Sequence, residues 1–492
     1  MNRYSDHLAL LTDFYELTMM NGYVDHQLDE TIGYFDYFFR TLPDGGGFAI
    51  TCGLDQFIDY VEALCFSEED IQFLRQKQQF SEKFLDKLAT FKFCGDIWAM
   101  PEGTPIFPNE PIVVVRGTML EAQLIETMLL LTLNHQSLIC TKANRIVRAA
   151  QGRAVLEFGA RRAQGVDAAV LGARAAYVGG CVGSSNVYAD RYMDVPASGT
   201  MAHSWVQLFD NEYLAFEAYA KTYPGHTVLL IDTYDVLHSG IPNAIEVFEN
   251  VLKPLGHRPV GVRIDSGDIA YLSKKARKLL DAAGYSDCRI YASNALDEYL
   301  IRDMQFQGAC VDAYGVGERL ITSKSAPVFG GVYKLVGVDR GGNVMPKIKL
   351  SENVEKITTP GFKQVWRLFD RESHMSMADV VTLHSEVIDD TKPYELFHPD
   401  YTWKRKRLEN FYAKPLLEAI FSKGKMVYNR PNIEQIRHAC LTNIEHLWDE
   451  VKRFENPHRY YVDLSEQLWQ LKRDMIGQVK ESLSALRSGA VK

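Results

Sequence analysis

Val260-Gly261-Val262-Arg263-Ile264-Asp265-Ser266-Gly267-Asp268 passes from an apolar, β-rich run into a charged turn with glycine in it. Side chains alternate along a strand, so Arg263 and Asp265 share one face at its end. The same passage recurs through the middle of the chain. Ala154–Phe158 runs into Gly159-Ala160-Arg161-Arg162, and Thr227–Ile231 into Asp232-Thr233-Tyr234-Asp235. Arg289–Ala292 runs into Ser293-Asn294, and Val311–Tyr314 into Gly315-Val316-Gly317. Ala176–Gly179 reads as a further strand. Starts spaced roughly 20 to 50 residues apart, with helical segments between them, are the pattern of β-α units in a parallel sheet or barrel. One polar strand end is commonly a helix cap. A succession of them, with arginine and glycine included, marks a rim that carries an active site.

Outward from this middle region the signals change. Residues 1–145 mix helix and strand. Leu10–Tyr23 has helical spacing with Thr12 as N-cap, Thr31–Phe39 is aromatic and strand-like, and 118–150 is mostly helical. From about residue 370 the chain is amphipathic, aromatic and helix-leaning. The expected class is α/β. An N-terminal α+β domain (1–145, a soft boundary) precedes a β/α domain with a parallel sheet or barrel (146–345). A mostly helical C-terminal extension (346–492) packs on the core.

The chain has 492 residues, 46% hydrophobic and 24% charged, which predicts a sizeable core. A net charge of −9 argues against wide nucleic-acid binding, although an acidic protein can hold a locally basic cleft. The eight cysteines stand singly, without the C-x-x-C spacing of a zinc or redox site. The N-terminus lacks the pattern of a signal peptide, and no apolar run approaches the ~20 residues of a membrane span. A soluble, cytoplasmic protein is expected.

Ala197-Ser198-Gly199-Thr200-Met201-Ala202-His203-Ser204 joins small residues to one histidine. Small residues let backbone approach a ligand, and histidine can act as base, nucleophile or metal ligand. No second histidine stands at metal spacing. A carboxylate at a neighbouring strand end, Asp232 or Asp235, can fix the ring's tautomer. The Arg263–Asp265 pair has two readings, an internal ion pair or a guanidinium free to pair with a ligand's carboxylate and stack flat on an aromatic ring. The glycine turns at 179–186 and 315–317 can cradle phosphate or simply turn the chain. Lys347, Lys349, Lys356 and Lys363 can reach phosphate or form a solvated face. The run Lys404-Arg405-Lys406-Arg407 reads as a solvated face or an interface rim.

Together these motifs resemble the nicotinate phosphoribosyltransferase family over most of the chain. The matching stretches are Leu11–Met19, Glu157–Arg162, the Gly-Thr-x-Ala-His-Ser segment ending at Ser204, Gly261–Asp268, Gly330–Leu335 and Asn456-Pro457-His458. The resemblance implies an irregular β/α barrel-like catalytic domain over 146–345 and a homodimer with active sites at the subunit interface. It also implies a ligase-type reaction of nicotinate with 5-phosphoribosyl 1-diphosphate, coupled to ATP hydrolysis, assisted by Mg²⁺ and feeding NAD salvage. No protein side chain is expected as a direct metal ligand. By the same resemblance His203 is the histidine phosphorylated by ATP, and Asp235 its orienting carboxylate. Phe158 and Arg263 sandwich the pyridine ring, and Tyr15 (from the partner subunit) and Thr200 contact nicotinate. Arg161, Ser293, Asn294, Gly315 and Gly317 hold ribose and phosphate, and Asp265 neighbours the site. The chain departs from some relatives at Glu318, which follows the second glycine of Gly315-x-Gly317 where those relatives have threonine. Glu318 is therefore expected to face Arg319, Lys324 or Mg²⁺. Two rivals remain at this level: a sibling enzyme acting on nicotinamide or quinolinate, and a catalytically silent barrel that only binds.

Overall fold

The apolar runs between residues 154 and 316 lie side by side in one parallel sheet. Its strand order is Gly183–Ser184, Ala154–Glu157, Ala313–Val316, Arg289–Asn294, Gly261–Ile264 and Val228–Leu230. The strand that comes first in sequence therefore pairs with the last, through Glu157 opposite Val316 and Leu156 opposite Gly315. Ser293 lies opposite Gly315, and Tyr291 and Leu230 both lie opposite Arg263. With every ladder parallel and in step, the carboxyl ends of the strands come together at one edge. Val228–Leu230 and Ala313–Val316 are buried along their whole length, as strands covered on both faces are. The helix Ile269–Ala282 buries Ile269, Ser273, Ala276 and Leu280 as one apolar stripe, and Asp268 caps it by accepting from the Tyr271 N–H.

Ala176–Gly179, expected as a strand, is the end of the helix Val166–Val178, and the strand comes later at Gly183–Ser184. Every residue from Val170 to Val178 is buried, so the helix shows no polar stripe and its Ala-Ala-Tyr-Val ending looks like a core strand.

The computed structural model describes residues 8–351 and 356–487. Contacts divide the chain into two compact units, residues 138–327, just described, and residues 1–137 with 328–492. The helix Glu126–Ala149 contains one of the two boundaries. The unit formed by the two ends of the chain has a seven-stranded antiparallel sheet. Its order is Asn343–Pro346, Gly331–Arg340, Ile32–Phe39, Val113–Thr118, Asp96–Ala99, Glu418–Ser422 and Lys425–Met426. The aromatic strand Ile32–Phe39 is central and buried on both faces. Thr118 and Glu121 form a capping box that starts the helix Met119–Leu124. The first long helix is Phe14–Asp25. Asp13 rather than Thr12 takes the N-cap position, and the Thr12 hydroxyl instead donates to Glu16.

The C-terminal stretch is not mostly helical. Lys363–Asp370, Ser376–Leu383, Phe411–Pro415 and Val462–Leu464 form a four-stranded sheet, and Tyr394–Phe397 pairs with Arg405–Leu408. Among the described residues the α-helices of this stretch are Ile433–Glu445 and Glu466–Arg487. Short aromatic and β-branched runs such as Gln364-Val365-Trp366 bury against strand neighbours far away in sequence, which a local reading of amphipathicity misses. Lys363 is neither a phosphate ligand nor part of a solvated face, since it is 1% exposed and its Nζ pairs with Asp36 at 2.8 Å. No helix among the described residues is long and apolar enough to cross a membrane.

Candidate active site

Arg263 is the hub of the carboxyl edge of the parallel sheet. Strand alternation sends its side chain to the same side as Asp265, and the parallel register brings Ser293 alongside. Its Nε donates to Ser293 Oγ at 2.7 Å and its Nη2 to Asp265 Oδ1 at 3.1 Å. Nη1 has the longest contacts, to Thr200 Oγ1 at 3.2 Å and the Met201 carbonyl at 3.4 Å. The Ser293 hydroxyl donates to Asp265 Oδ1. The guanidinium carbon lies 5.6 Å from the centroid of the Phe158 ring. That ring rests on Gly315, where a Cβ would come within 2.4 Å of it, so any larger residue would displace the platform. Phe158, Thr200, Arg263, Ser293 and Gly315 line a cavity of about 310 Å³, a size suited to a small molecule.

His203 starts the short helix His203–Gln207, and its side chain is 40% exposed. Its Nδ1 lies 3.1 Å from the Thr233 hydroxyl. Its Nε2 faces two carboxylates, Asp265 Oδ2 at 3.9 Å and Asp232 Oδ1 at 4.0 Å. Asp232 is locked in place: its Oδ2 accepts from the Asp265 N–H at 3.0 Å and from Ser266 Oγ at 2.6 Å. Its Oδ1 is buried with no hydrogen-bond partner, and a modest turn of the imidazole would supply one.

Asp235 was expected as the histidine's orienting carboxylate, and the structure uses it otherwise. Its Oδ1 accepts from the Leu237 and His238 N–H groups at 2.9 and 2.8 Å, and its carboxylate lies 3.1 Å from His238 Nδ1. These bonds hold the exposed Asp235 carboxyl below its ordinary pKa. It caps the turn after its strand, while Asp232, closer to the strand end, is aimed inward. The sequence left both aspartates open, and nothing local separates two carboxylates on the same turn.

The remaining predicted residues fall in two groups. Gly317 sits against Phe158, since a Cβ there would lie 3.0 Å from the Phe158 carbonyl oxygen. Asn294 is exposed, and its Oδ1 accepts from the Ala295 N–H at 2.6 Å. Arg161 is exposed on the turn Ala160–Arg162. Glu318 pairs with Lys324 at 2.7 Å, one of the partners expected of it, and that bond lowers its pKa.

Tyr15 belongs to the other unit, 47% exposed on the helix Phe14–Asp25. Burial, followed by Glu126, raises its pKa. Around Glu126 lies a basic group that the sequence reading did not assemble. Burial and the nearby Arg40 and Lys349 pull the Lys334 ammonium down, opposed by Glu126. Arg40 Nε is buried without a hydrogen-bond partner. The sequence had offered Lys349 within a lysine series and Lys334 within a family-like stretch, but nothing local joined them to Arg40 at the end of an aromatic strand. Among the described residues no cluster of three or more His, Cys, Asp or Glu side chains forms a metal cage.

Three family models match the chain. The nicotinate phosphoribosyltransferase N-terminal domain matches residues 10–134, the nicotinate phosphoribosyltransferase family 154–323, and the C-terminal domain 362–472. The nicotinate phosphoribosyltransferase of Bacillus subtilis strain 168 is 44% identical over 480 residues, 97% of each chain. The human nicotinate phosphoribosyltransferase is 32% identical over 517 residues, covering 93% of this chain and 95% of its own. The crystal structure of human nicotinic acid phosphoribosyltransferase superposes with a TM-score of 0.83 at 29% identity, covering 95% of this chain and all of that one. The fold is thus that of an α/β phosphoribosyl-transfer enzyme. The chain belongs to the nicotinate phosphoribosyltransferase family.

Proposed function

We propose that this chain joins nicotinate to 5-phosphoribosyl 1-diphosphate, giving nicotinate mononucleotide and diphosphate, an opening step of NAD salvage. The observation that carries the reading is Arg263, held beside the Phe158 ring with its Nη1 weakly bound at the cavity wall. Nicotinate is flat and anionic. A phenyl face suits its ring, and a guanidinium with the Thr200 hydroxyl suits its carboxylate. Closing a ring between Phe158 and Arg263 needs about 7 Å, two contact distances of roughly 3.5 Å. The guanidinium must therefore withdraw by about 1 to 1.5 Å from its present separation of 5.6 Å, at the expense of its longest bonds. Ser293, Asn294, Gly315, Gly317 and Arg161, on adjacent strand ends, supply donors for ribose and phosphate.

ATP coupling runs through His203. Asp232 and Asp265 favour a proton on Nε2, which leaves the Nδ1 lone pair as nucleophile. A P–N bond forms at Nδ1 as the bond from the γ-phosphorus to the β–γ bridging oxygen breaks and ADP departs. Water later cleaves the P–N bond. The Thr233 hydroxyl, now on Nδ1, is placed to donate to the new phosphoryl group. Mg²⁺ suits this edge as a hydrated ion: the Asp265 carboxylate, 35% exposed, is a hard oxygen donor within reach of water. It would neutralise the diphosphate leaving group.

The strand order, with first strand paired to last, supports a barrel-like catalytic core open between Gly183–Ser184 and Val228–Leu230. Leu11, Phe14, Tyr15 and Met19, 40 to 50% exposed, with Tyr15 linked through Glu126 to Lys334, support a homodimer in which this surface completes the partner's site. Eight cysteines that stand singly in the sequence, without the spacing of a disulfide framework, fit a reducing cytoplasm.

Incubation with γ-labelled ATP tests the coupling. The parent should take up an acid-labile, base-stable phosphate that His203→Ala cannot. Equal labelling of both proteins removes His203 from the scheme. Competition among nicotinate, nicotinamide and quinolinate tests the substrate, and a preference for nicotinamide would overturn it.

A further inference from the structure

One titratable group in the parallel-sheet unit is fully enclosed and takes no part in the scheme above. Glu157 ends the strand Ala154–Glu157, immediately before Phe158, and is 0% exposed. Neutral groups hold both of its oxygens. The Gly159 N–H donates to Oε1, and the Ser184 hydroxyl donates to Oε2 at 2.6 Å. Ser184 Oγ accepts in turn from the Asn186 N–H at 3.0 Å. The Ser184 backbone carries the connection onward. Its N–H donates to the Pro196 carbonyl at 3.0 Å, and its carbonyl accepts from the Ser198 N–H at 2.8 Å. Two residues beyond Ser198 comes Thr200, and then His203.

This linkage lies where the sheet runs out. Beyond Gly183–Ser184 the ladder continues only as a single parallel bridge, Ser184 to Ala197. The segment that bears Thr200 and His203 has no full strand pairing to fix its height above the sheet. The enclosed carboxyl adds a side-chain tie between the strand end that bears Phe158 and Ser184, from which the bonds to Pro196 and Ser198 run. Gly159 makes room for it, since a Cβ there would sit 2.7 Å from Oε1. A carboxyl among neutral groups is costly to bury, and an apolar side chain would fill the space more cheaply. What it adds is two short, directional bonds in a low-dielectric interior, where such bonds are stiff. Burial raises its pKa, opposed by the bonds from Ser184 and Gly159.

We infer that Glu157 is a positioning residue: through Ser184 it sets the spacing between the Phe158 ring and the Thr200–His203 segment. The inference rests on the reading of Phe158 and Thr200 as nicotinate contacts.

Three variants test it. Ser184→Ala deletes the hydroxyl link but leaves the backbone bonds. Glu157→Ala deletes the carboxyl. Glu157→Gln keeps an acceptor for Gly159 and turns an amide donor toward Ser184. Each is followed by steady-state kinetics, thermal unfolding and hydrogen exchange of amides 196–203. Ser184→Ala and Glu157→Ala should raise the KM for nicotinate about tenfold, with the KM for ATP within about twofold, and speed exchange at 198–203 about tenfold. Glu157→Gln should return the nicotinate KM to within about threefold of the parent. An unchanged nicotinate KM or unchanged exchange in Ser184→Ala overturns the inference. So does a uniform loss of all constants in step with lost folded protein. If Glu157→Ala fails to fold, Ser184→Ala and Glu157→Gln decide the matter. Absence of nicotinate turnover in the parent counts against the proposed function alone, because exchange reads the linkage without substrate.

Discussion

Arg263 and Arg367 each pair with an aspartate and each lie over aromatic rings, but in different units and in opposite states of closure. Arg367 binds Asp379 through two nitrogens, at 2.8 and 2.6 Å, and also donates to the Pro105 carbonyl at 2.8 Å. Its guanidinium lies 5.5 Å from the Phe107 centroid and 5.9 Å from that of Tyr460. The pair is 4% and 0% exposed, and the Tyr460 hydroxyl adds a third bond to the aspartate. The Arg263–Asp265 pair has one contact and is 16% and 35% exposed beside the cavity. A bidentate pair sealed from water leaves nothing to offer a ligand. A single-contact pair at a rim keeps donors that a ligand can take over. Residue type and even ring stacking do not separate a structural ion pair from a binding one; saturation and access do.

The largest effect should come from opening the sealed pair. Arg367→Ala leaves Asp379 charged, buried and beside buried Glu110, whose pKa burial and Asp379 already raise. It should cost about 3–5 kcal/mol of folding free energy in denaturant titration. A cost below about 1 kcal/mol would break the contrast. At the rim the same substitution should act on function. Arg263→Ala should lower kcat/KM for nicotinate by about 100- to 1000-fold while stability changes by less than about 1 kcal/mol. Arg263→Lys should recover little, because an ammonium cannot reproduce the fork to Ser293 and Asp265.

The two aspartates after Ile231 sharpen the contrast on a smaller scale. Asp232→Asn should slow labelling of His203 by about 10- to 100-fold, and Asp235→Asn by less than about threefold. The second should leave the cap nearly intact, because asparagine caps a helix about as well as aspartate. Equal slowing by both would restore Asp235 as the partner.

The smallest effect concerns a closed carboxyl held by hydroxyls rather than by a cation. Glu16 accepts from Thr12 and, at 2.7 Å, from Thr127, and burial pushes its pKa up to about 7. The folded state then holds the proton more tightly than the unfolded chain. Its stabilising contribution is complete below pH 4.5 and is lost as pH rises through about 7. Glu16→Gln should therefore gain about 1–2 kcal/mol over the parent at pH 8 and nearly nothing at pH 4 in thermal unfolding. A shift of equal size at both pH values would show that Glu16 is not the titrating group.

Much of the site was legible because it is built from local rules. Alternation placed Arg263 and Asp265 on one face, and the polar strand ends marked the edge at which Phe158, Ser293 and Gly315 meet. Where the outcome depended on partners distant in sequence, the reading failed. Lys363 looked like one lysine of a basic series until Asp36, on a strand more than three hundred residues earlier, enclosed it. The strands after Lys363 gain their stability from pairing across long loops, which no window of sequence contains.

The sequence by itself determined the α/β class, the alternation at Arg263 and Asp265, and the residue types gathered at the rim, because these follow from spacing along one chain. Only the tertiary structure decided that Asp232 rather than Asp235 faces His203, and that Glu157 meets Ser184. Such meetings depend on strand register and on the path of each turn. Those are fixed when the sheet assembles and burial makes one arrangement of polar groups far less costly than the others.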